Sequence, residues 1–252
     1  MPIWAQAGFW GLVSGSALIL GAALAYVGTA PQRLIALVMA FGSGVLISAL
    51  SFDLMQEAFE GGGFTPAAIG FVAGAVVYTA ANVALNKAGA KHRKRSSAGL
   101  QPSEDDSGGS GAAIALGALM DGVPESVAIG LSLVAGGGVS AVAVGAVFLS
   151  NLPEGLSSAA GMRKAKRRPL YVFGVWIGIA LMSGLAATLG VVFLGDSGPV
   201  MLAVANAVAA GAILAMLVDT MVPEAFEGSH EYAGLVTVGG FLAAFALSKL
   251  GG

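Results

Sequence analysis

Acidic residues interrupt two long apolar segments near the middle of this 252-residue sequence. Asp121 and Glu125 stand four residues apart, a spacing that places both carboxylates on one face of a helix. In the next segment, Ser150 and Asn151 precede Glu154 by four and three residues and share its face. Both glutamates follow a proline within the same pattern, Val/Leu-Pro-Glu-Ser/Gly-Val/Leu. The two segments therefore offer carboxylate, amide and hydroxyl oxygens at matching positions.

Two further acidic motifs match each other more closely and lie in opposite halves of the chain. Asp53 precedes Glu57 in the first half, and Asp219 precedes Glu224 in the second. The five-residue sequence Glu-Ala-Phe-Glu-Gly begins at both Glu57 and Glu224. We interpret this recurrence as an internal repeat in which each copy places acidic side chains at the end of an apolar segment.

The chemistry expected of these residues is the binding of a cation by oxygen atoms. Pro124 and Pro153 lack a backbone N–H, so they free the carbonyls of Met120 and Leu149, which can then line a cavity. Lysine and arginine are confined to loops and segment ends, so no basic partner is expected for these carboxylates. The carboxylates must therefore be protonated, hydrated or paired with a cation from solution. Oxygen ligands favour hard divalent ions such as Mn²⁺ or Mg²⁺. The alternative for each motif is a kinked helix with a protonated, hydrogen-bonded glutamate.

The composition indicates that lipid surrounds these segments. The chain is 56% hydrophobic and only 10% charged, with a mean hydropathy of +0.85, whereas soluble domains carry about 25% charged residues. Cysteine is absent, which excludes disulfides and thiolate metal sites. We therefore predict an all-α polytopic membrane protein of about eight transmembrane helices in a single domain. The predicted segments are 7–29, 33–58, 66–88, 111–135, 138–162, 170–194, 199–222 and 233–250.

The distribution of basic residues predicts the orientation. Eleven of the 12 lysines and arginines fall between segments 1 and 2, 3 and 4, or 5 and 6, and only Lys249 does not. The positive-inside rule makes that face cytoplasmic, so both termini are expected outside a cell membrane. Residues 89–110 are polar and rich in glycine and serine, which predicts a disordered cytoplasmic loop. The few basic residues give no indication of nucleic-acid binding.

Matching motifs on segments 2 and 7 imply that the two copies of the repeat run antiparallel. With alternating directions, even-numbered segments run outward and odd-numbered segments run inward. Inverted repeats of this kind are typical of transporters whose binding site forms near the membrane midplane. We therefore divide the chain into a first repeat at 1–88, a central helix pair at 111–162 and a second repeat at 170–252.

These motifs resemble the ZIP family of divalent metal transporters over nearly the whole chain. Segment 4 of that family reads His-Asn-x-x-Glu-Gly, and here Asp121-Gly-Val-Pro-Glu125-Ser occupies the position. Segment 5 often reads His-Glu-x-x-Glu-Gly, and here it is Ser150-Asn-Leu-Pro-Glu154-Gly. No histidine remains in any segment, because His92 and the other histidine of the chain both fall in predicted loops.

The resemblance implies a 3+2+3 arrangement of eight spans around one metal site. The implied site is built mainly on Asp121, Glu125, Asn151 and Glu154. Glu57 would then line the outer approach, and Asp219 and Glu224 would line the inner exit.

The function that this resemblance and the mid-membrane acids favour is import of a divalent metal of the Zn, Mn, Fe or Cd class, bound as substrate. The alternative is a non-transporting membrane sensor that responds to metal or protons, suggested by the missing histidines. An intramembrane zinc protease would need ligands such as His-Glu-x-x-His within a segment, so we do not expect an enzyme. The expected partners are metal cations and the lipid bilayer, and helix faces of small residues would permit a homodimer.

Overall fold

The computed structural model describes residues 1–28, 31–87, 110–136 and 141–250. Within these ranges the chain contains helices and turns but no strand, which confirms the all-α prediction. Except for Ser110, the predicted cytoplasmic loop 89–110 lies outside the described residues. The α-helices of the described ranges are α1 (Ile3–Val27), α2 (Gln32–Ala49), α3 (Met55–Gly62), α4 (Phe64–Leu85), α5 (Ser110–Gly136), α6 (Ala141–Lys164), α7 (Pro169–Leu194), α8 (Pro199–Met216), α9 (Val222–Ser229) and α10 (Ala233–Leu250).

Six helical stretches in the described part of the chain are long and apolar enough to cross a membrane, as expected of a multi-pass membrane protein. Helix α6 is not among them, because polar side chains such as Asn151 and Glu154 lower its hydropathy. The last stretch combines α8 to α10 and contains a short 3₁₀ turn that begins at His230. The six stretches are Ile3–Val27, Gln32–Gly62, Phe64–Leu85, Ala115–Val134, Pro169–Leu194 and Pro199–Lys249.

Two of these stretches change from α-helical to π-helical hydrogen bonding at matching places. Leu50–Leu54 joins α2 to α3, and Leu217–Met221 joins α8 to α9. Each π-helical turn contains one of the predicted aspartates, Asp53 or Asp219. Because a π-helical turn holds more residues than an α-helical turn, it rotates the side chains that follow it and is frequent at functional sites.

Glycine brings two pairs of helices into backbone contact. Gly44 of α2 and Gly240 of α10 each lie against the backbone of the other's helix, as do Gly74 of α4 and Gly211 of α8. A Cβ atom added to any of the four would overlap a backbone carbonyl oxygen of the partner helix. The close approach is therefore possible only where a side chain is missing. This close approach packs α10 against α2 and α4 against α8. Helix α1 packs on α6 and α7, and α5 packs on α7.

The stretches α2–α3 and α8–α9 run in opposite directions. At one end of the helix bundle, Gly62 at the end of α3 approaches Ala203 near the start of α8. At the other end, Gly228 near the end of α9 approaches Ala36 in the first turns of α2. This antiparallel arrangement is the one expected for the two acidic motifs.

Basic side chains gather at one end of the bundle, which we call the basic end. Arg33 at the start of α2 lies with its guanidinium 5.2 Å from the centre of the Tyr232 ring. Lys164 at the end of α6 reaches the Gln32 side chain, with Nζ 3.5 Å from Oε1. The start of α2, the end of α6 and the turn between α9 and α10 therefore lie together at this end. Asp53 lies on the opposite part of the α2–α3 stretch, away from the basic end.

Candidate cation site

Most of the predicted site residues are withdrawn from the surface of the protein. Six of the nine are at most 4% exposed: Asp121, Glu125, Ser150, Asn151, Glu154 and Glu224. Asp53 and Glu57 are partly buried, and Asp219 is exposed. Burial of so many carboxylates in an apolar bundle is costly unless each is protonated or finds donors or a cation.

A cavity of about 70 Å³ brings together carboxylates from three different elements. Asp53 of the π-helical turn, Glu57 of α3 and Glu125 of α5 line it, together with the hydroxyl-bearing Ser132. The rest of the lining is apolar and comes from the same π-helical turn and from α2, α5, α6 and α8. One water needs roughly 10–15 Å³ of such space, so the cavity can hold several waters or a partly hydrated ion.

Side chains of α8 and α10 hold two acids of this cavity, Asp53 and Glu57, which we call the outer acids because they lie away from the basic end. The Asn206 amide donates through Nδ2 to Glu57 Oε2 at 3.0 Å. The Ser248 hydroxyl donates to Asp53 Oδ1 at 3.1 Å. Both donors come from the second half of the chain, so the cavity wall depends on contact between the two halves.

The prediction that no basic side chain lies near the buried acids is wrong at Asp53. Lys249 at the end of α10 attracts Asp53 electrostatically. Its Nζ atom lies 5.7 Å from the centre of the Phe52 ring, beside Asp53 in the chain. The sequence does not predict this pair, because Lys249 is nearly 200 residues away from Asp53. The two residues are brought together by the packing of α10 on α2.

Asp121 is held by a tyrosine from another helix. The Tyr78 hydroxyl of α4 donates to Asp121 Oδ1 at 2.5 Å, a distance typical of a hydrogen bond to a carboxylate. Within the described residues, the cavity lining includes Glu125 but not Asp121. The two acids of α5 therefore have different surroundings although both are buried.

Helix α6 presents its polar residues to α1 and α2. Asn151 donates through Nδ2 to the backbone oxygen of Ser14 in α1 at 3.1 Å, so its amide oxygen is the atom suited to bind a cation. Ser150 donates to the carbonyl of Val147 at 2.9 Å. A Cβ at Gly42 of α2 would stand 3.3 Å from the Pro153 ring, so this glycine permits α6 to lie close.

The acids of the second half have hydrogen-bond partners on α6 and α4. The Ser157 hydroxyl of α6 donates to Glu224 Oε1 at 3.0 Å, and Ser157 lies one turn after Glu154 on the same helix face. Asn82 of α4 donates through Nδ2 to Asp219 Oδ2 at 3.1 Å. Glu224 is therefore bonded to α6 one turn after Glu154, whereas Asp219 is bonded to Asn82 near the end of α4.

The nine predicted residues thus fall into groups along the bundle. In the part of the chain that the structure describes, no three acidic or histidine side chains converge closely enough to hold a metal ion. Asp53, Glu57 and Glu125 share a cavity, while Glu224 lies beside α6 and Asp121 beside α4.

Sequence reasoning missed the uncharged side chains that donate to these acids. Only Asn82 and Asn206 carried a signal, because each is an amide inside an otherwise apolar segment. A tyrosine or serine inside an apolar helix is too common to single out. The missed donors are Tyr78, Asn82, Ser157, Asn206 and Ser248.

No protein-family model matches the chain, and no curated protein matches it either. The geometry of the acidic cavity and its neighbours is therefore the basis for assigning a function.

Proposed function

We propose that the protein carries divalent metal cations, of the Mn, Fe, Zn or Cd class, across the cell membrane into the cytoplasm. The observation that carries this proposal is the cavity lined by Asp53, Glu57 and Glu125 inside an apolar helical bundle. Clustered carboxylates repel one another in a medium of low dielectric constant, and a divalent cation relieves that repulsion most directly. Their oxygen atoms suit hard or borderline divalent ions.

The proposed framework is eight spans, arranged as two inverted three-span repeats around the α5–α6 pair. Support comes from two hydrogen bonds that correspond to each other under exchange of the repeats. Ser248 in the last helix of the second half donates to Asp53 in the first. Asn82 in the last helix of the first half donates to Asp219 in the second. The π-helical turns and the glycine contacts of α2–α10 and α4–α8 correspond in the same way.

The proposed path runs from the acidic cavity toward the basic end. A cation would meet Asp53 and Glu57 first and pass to Glu125, near the midplane. From there the oxygens of Asn151 and Glu154 would take it up, while Asp121 stays bonded to Tyr78 of α4.

Glu224 and Asp219 would then receive the ion on the inner side. The positive-inside rule assigns the basic end to the cytoplasm, so transport along this path is import and both termini are extracytoplasmic. The Ser157–Glu224 hydrogen bond holds α9 against α6 on the inner side. This contact supports a conformation in which the cation site is accessible from the outer side. A change between outer and inner access would complete the cycle.

The decisive experiment measures metal uptake by purified protein in liposomes. We expect Glu125→Gln and Glu154→Gln to reduce Mn²⁺ or Cd²⁺ uptake at least about a hundredfold, because a neutral amide cannot neutralise the ion at the midplane. The matched control is Glu60→Gln, which removes an exposed carboxylate of α3 that bonds only to Gln56 among the contacts described. Uptake should survive that change.

Two outcomes would contradict the proposal. Equal uptake by Glu125→Gln, Glu154→Gln and the unchanged protein would reject the assigned site. Saturable metal binding with no uptake at all would favour a sensor built on the same fold. Folding of each variant is checked by its thermal unfolding in detergent.

A further inference from the structure

A second cavity lies at the basic end of the bundle, between α1, α2 and α6. Its volume is about 290 Å³, four times that of the acidic cavity. Ala25, Ile35, Leu156 and Ala160 supply an apolar wall. Arg163 and Lys164, the last two residues of α6, supply a cationic rim. Both charged residues of the described lining are therefore cationic.

The Arg163 side chain is fixed in place at this rim. Its Nη1 donates to the carbonyl oxygen of Ala25 at 2.7 Å, and its guanidinium lies 5.6 Å from the centre of the Tyr26 ring. Nη1 also lies 3.4 Å from the Gly28 carbonyl, so one nitrogen serves the carbonyls at the end of α1. A guanidinium has five N–H donors, and the bonds seen within the described residues use Nη1 alone. Nε and Nη2 therefore keep donors in the fork geometry that suits a phosphate.

The position of the cavity along the helices matches the membrane interface. Ala25 lies two residues before the end of α1, and α6 ends at Lys164. The apolar wall continues from this level toward the middle of the bundle through Leu156 and Ala160. Such a site presents positive charge at headgroup depth and an apolar surface below it, which is the pattern that an amphiphile with an anionic head complements.

We propose that this cavity binds an anionic phospholipid of the cytoplasmic leaflet. The phosphate lies against Arg163 and Lys164, and the first methylenes of an acyl chain lie along Leu156 and Ala160. Basic pockets between transmembrane helices on the cytoplasmic side bind anionic headgroups for this reason. The bound lipid joins the ends of α1, α2 and α6. The proposal requires that the bundle is embedded in a membrane with its basic end at the cytoplasmic face, and it is independent of metal transport.

Native mass spectrometry of the full chain, released from detergent with added phosphatidylglycerol, tests the site. We expect saturable binding that Lys164→Gln weakens about fivefold, since one interfacial charge contributes about 1 kcal/mol. The matched control is Lys166→Gln, which removes an equal, exposed charge just after α6 from a residue that does not line the cavity. This control should change the affinity less than about twofold. Arg163→Lys keeps the charge but loses the guanidinium fork, and we expect an intermediate loss.

Three results would overturn the proposal. Equal weakening by Lys164→Gln and Lys166→Gln would mean that diffuse surface charge attracts the lipid. Equal binding of zwitterionic phosphatidylcholine would mean that the anionic headgroup is not recognised. Displacement of the lipid by millimolar inorganic phosphate would mean that the cavity is a site for free phosphate and that the acyl chain contributes nothing. Thermal unfolding of each variant in detergent separates loss of binding from loss of fold.

Discussion

The two halves of the molecule carry the same acidic motif but place it in different surroundings. Glu57 in the first half faces a cavity and is held by the Asn206 amide. Glu224 in the second half is only 1% exposed and accepts a hydrogen bond from Ser157. The five residues that begin with each glutamate are identical. The difference must therefore come from the neighbouring helices and from the residues just before the motif.

The residues before the two glutamates differ by a proline and by one position of spacing. Four positions separate Asp53 from Glu57, whereas five separate Asp219 from Glu224, which follows Pro223. Proline is tolerated there because it lies in the first turn of α9, where its missing N–H costs little. The added residue rotates Asp219 relative to Glu224 by about 100° more than in the first half. Asp219 is accordingly exposed while Asp53 lines the cavity.

This comparison shows how nearly identical local sequence can place one glutamate beside a cavity and bury the other against a neighbouring helix. The repeats share their helices, π-helical turns and glycine contacts. They differ in which partner approaches the glutamate, an amide of α8 for Glu57 and a hydroxyl of α6 for Glu224. The shared features can be tested by paired variants that should behave alike, and the different features by paired variants that should not.

The largest effect is expected where the two halves are alike. Gly240→Ala places a methyl group on a backbone oxygen of α2, and Gly74→Ala does the same against α8. Overpacking of this kind typically costs about 1–3 kcal/mol, so both variants should unfold at clearly lower temperature in detergent. The control is Gly239→Ala, because a Cβ there meets no atom within 4 Å. A loss of stability in only one of the two variants would show that the corresponding contacts are not equivalent.

The sequence predicted the apolar helices well because length and hydropathy are local properties. The predicted segment 170–194 differs by one residue from Pro169–Leu194, since a proline marks the start of that helix. The prediction that ended a segment at 222 stopped before Pro223, whereas the helical stretch continues through the π-helical turn and α9 to Ser229. A π-helical turn leaves no mark in hydropathy, so neither π-helical segment could be predicted.

Part of the candidate site could not be predicted because it depends on contacts between distant helices. The burial of Glu125 and Glu154 follows from their place in apolar segments. The Tyr78–Asp121 hydrogen bond depends on how α4 lies beside α5, and periodicity contains no information about that. The cavity at Asp53 is likewise a product of several helices rather than of one motif.

A smaller effect is expected where the two halves differ. Ser157→Ala removes a buried donor from Glu224, and loss of one such hydrogen bond costs about 1 kcal/mol. The amides of α9 should then exchange with deuterium roughly fivefold faster, as measured by mass spectrometry. The paired variant Asn206→Ala should accelerate exchange in α3 less, because water in the adjacent cavity can replace the lost amide at Glu57. Equal acceleration in α3 and α9 would contradict the distinction between a glutamate beside a cavity and a fully buried one.

The smallest effect is expected from removing the positive charge of Lys249, which has no charged counterpart in the first half. Lys249 is exposed and attracts Asp53 at the outer acids, whereas Asn82, the neighbour of Asp219, is uncharged. Lys249→Gln removes a positive charge that repels an approaching cation, so we expect the KM for Mn²⁺ or Cd²⁺ uptake to fall by less than about twofold. The change should disappear at high ionic strength, since exposed charges are screened there. The control Lys166→Gln lies at the basic end and should leave KM unchanged, because it is remote from the outer acids. A rise in KM for Lys249→Gln would mean that this lysine positions Asp53 for the ion rather than competing with it.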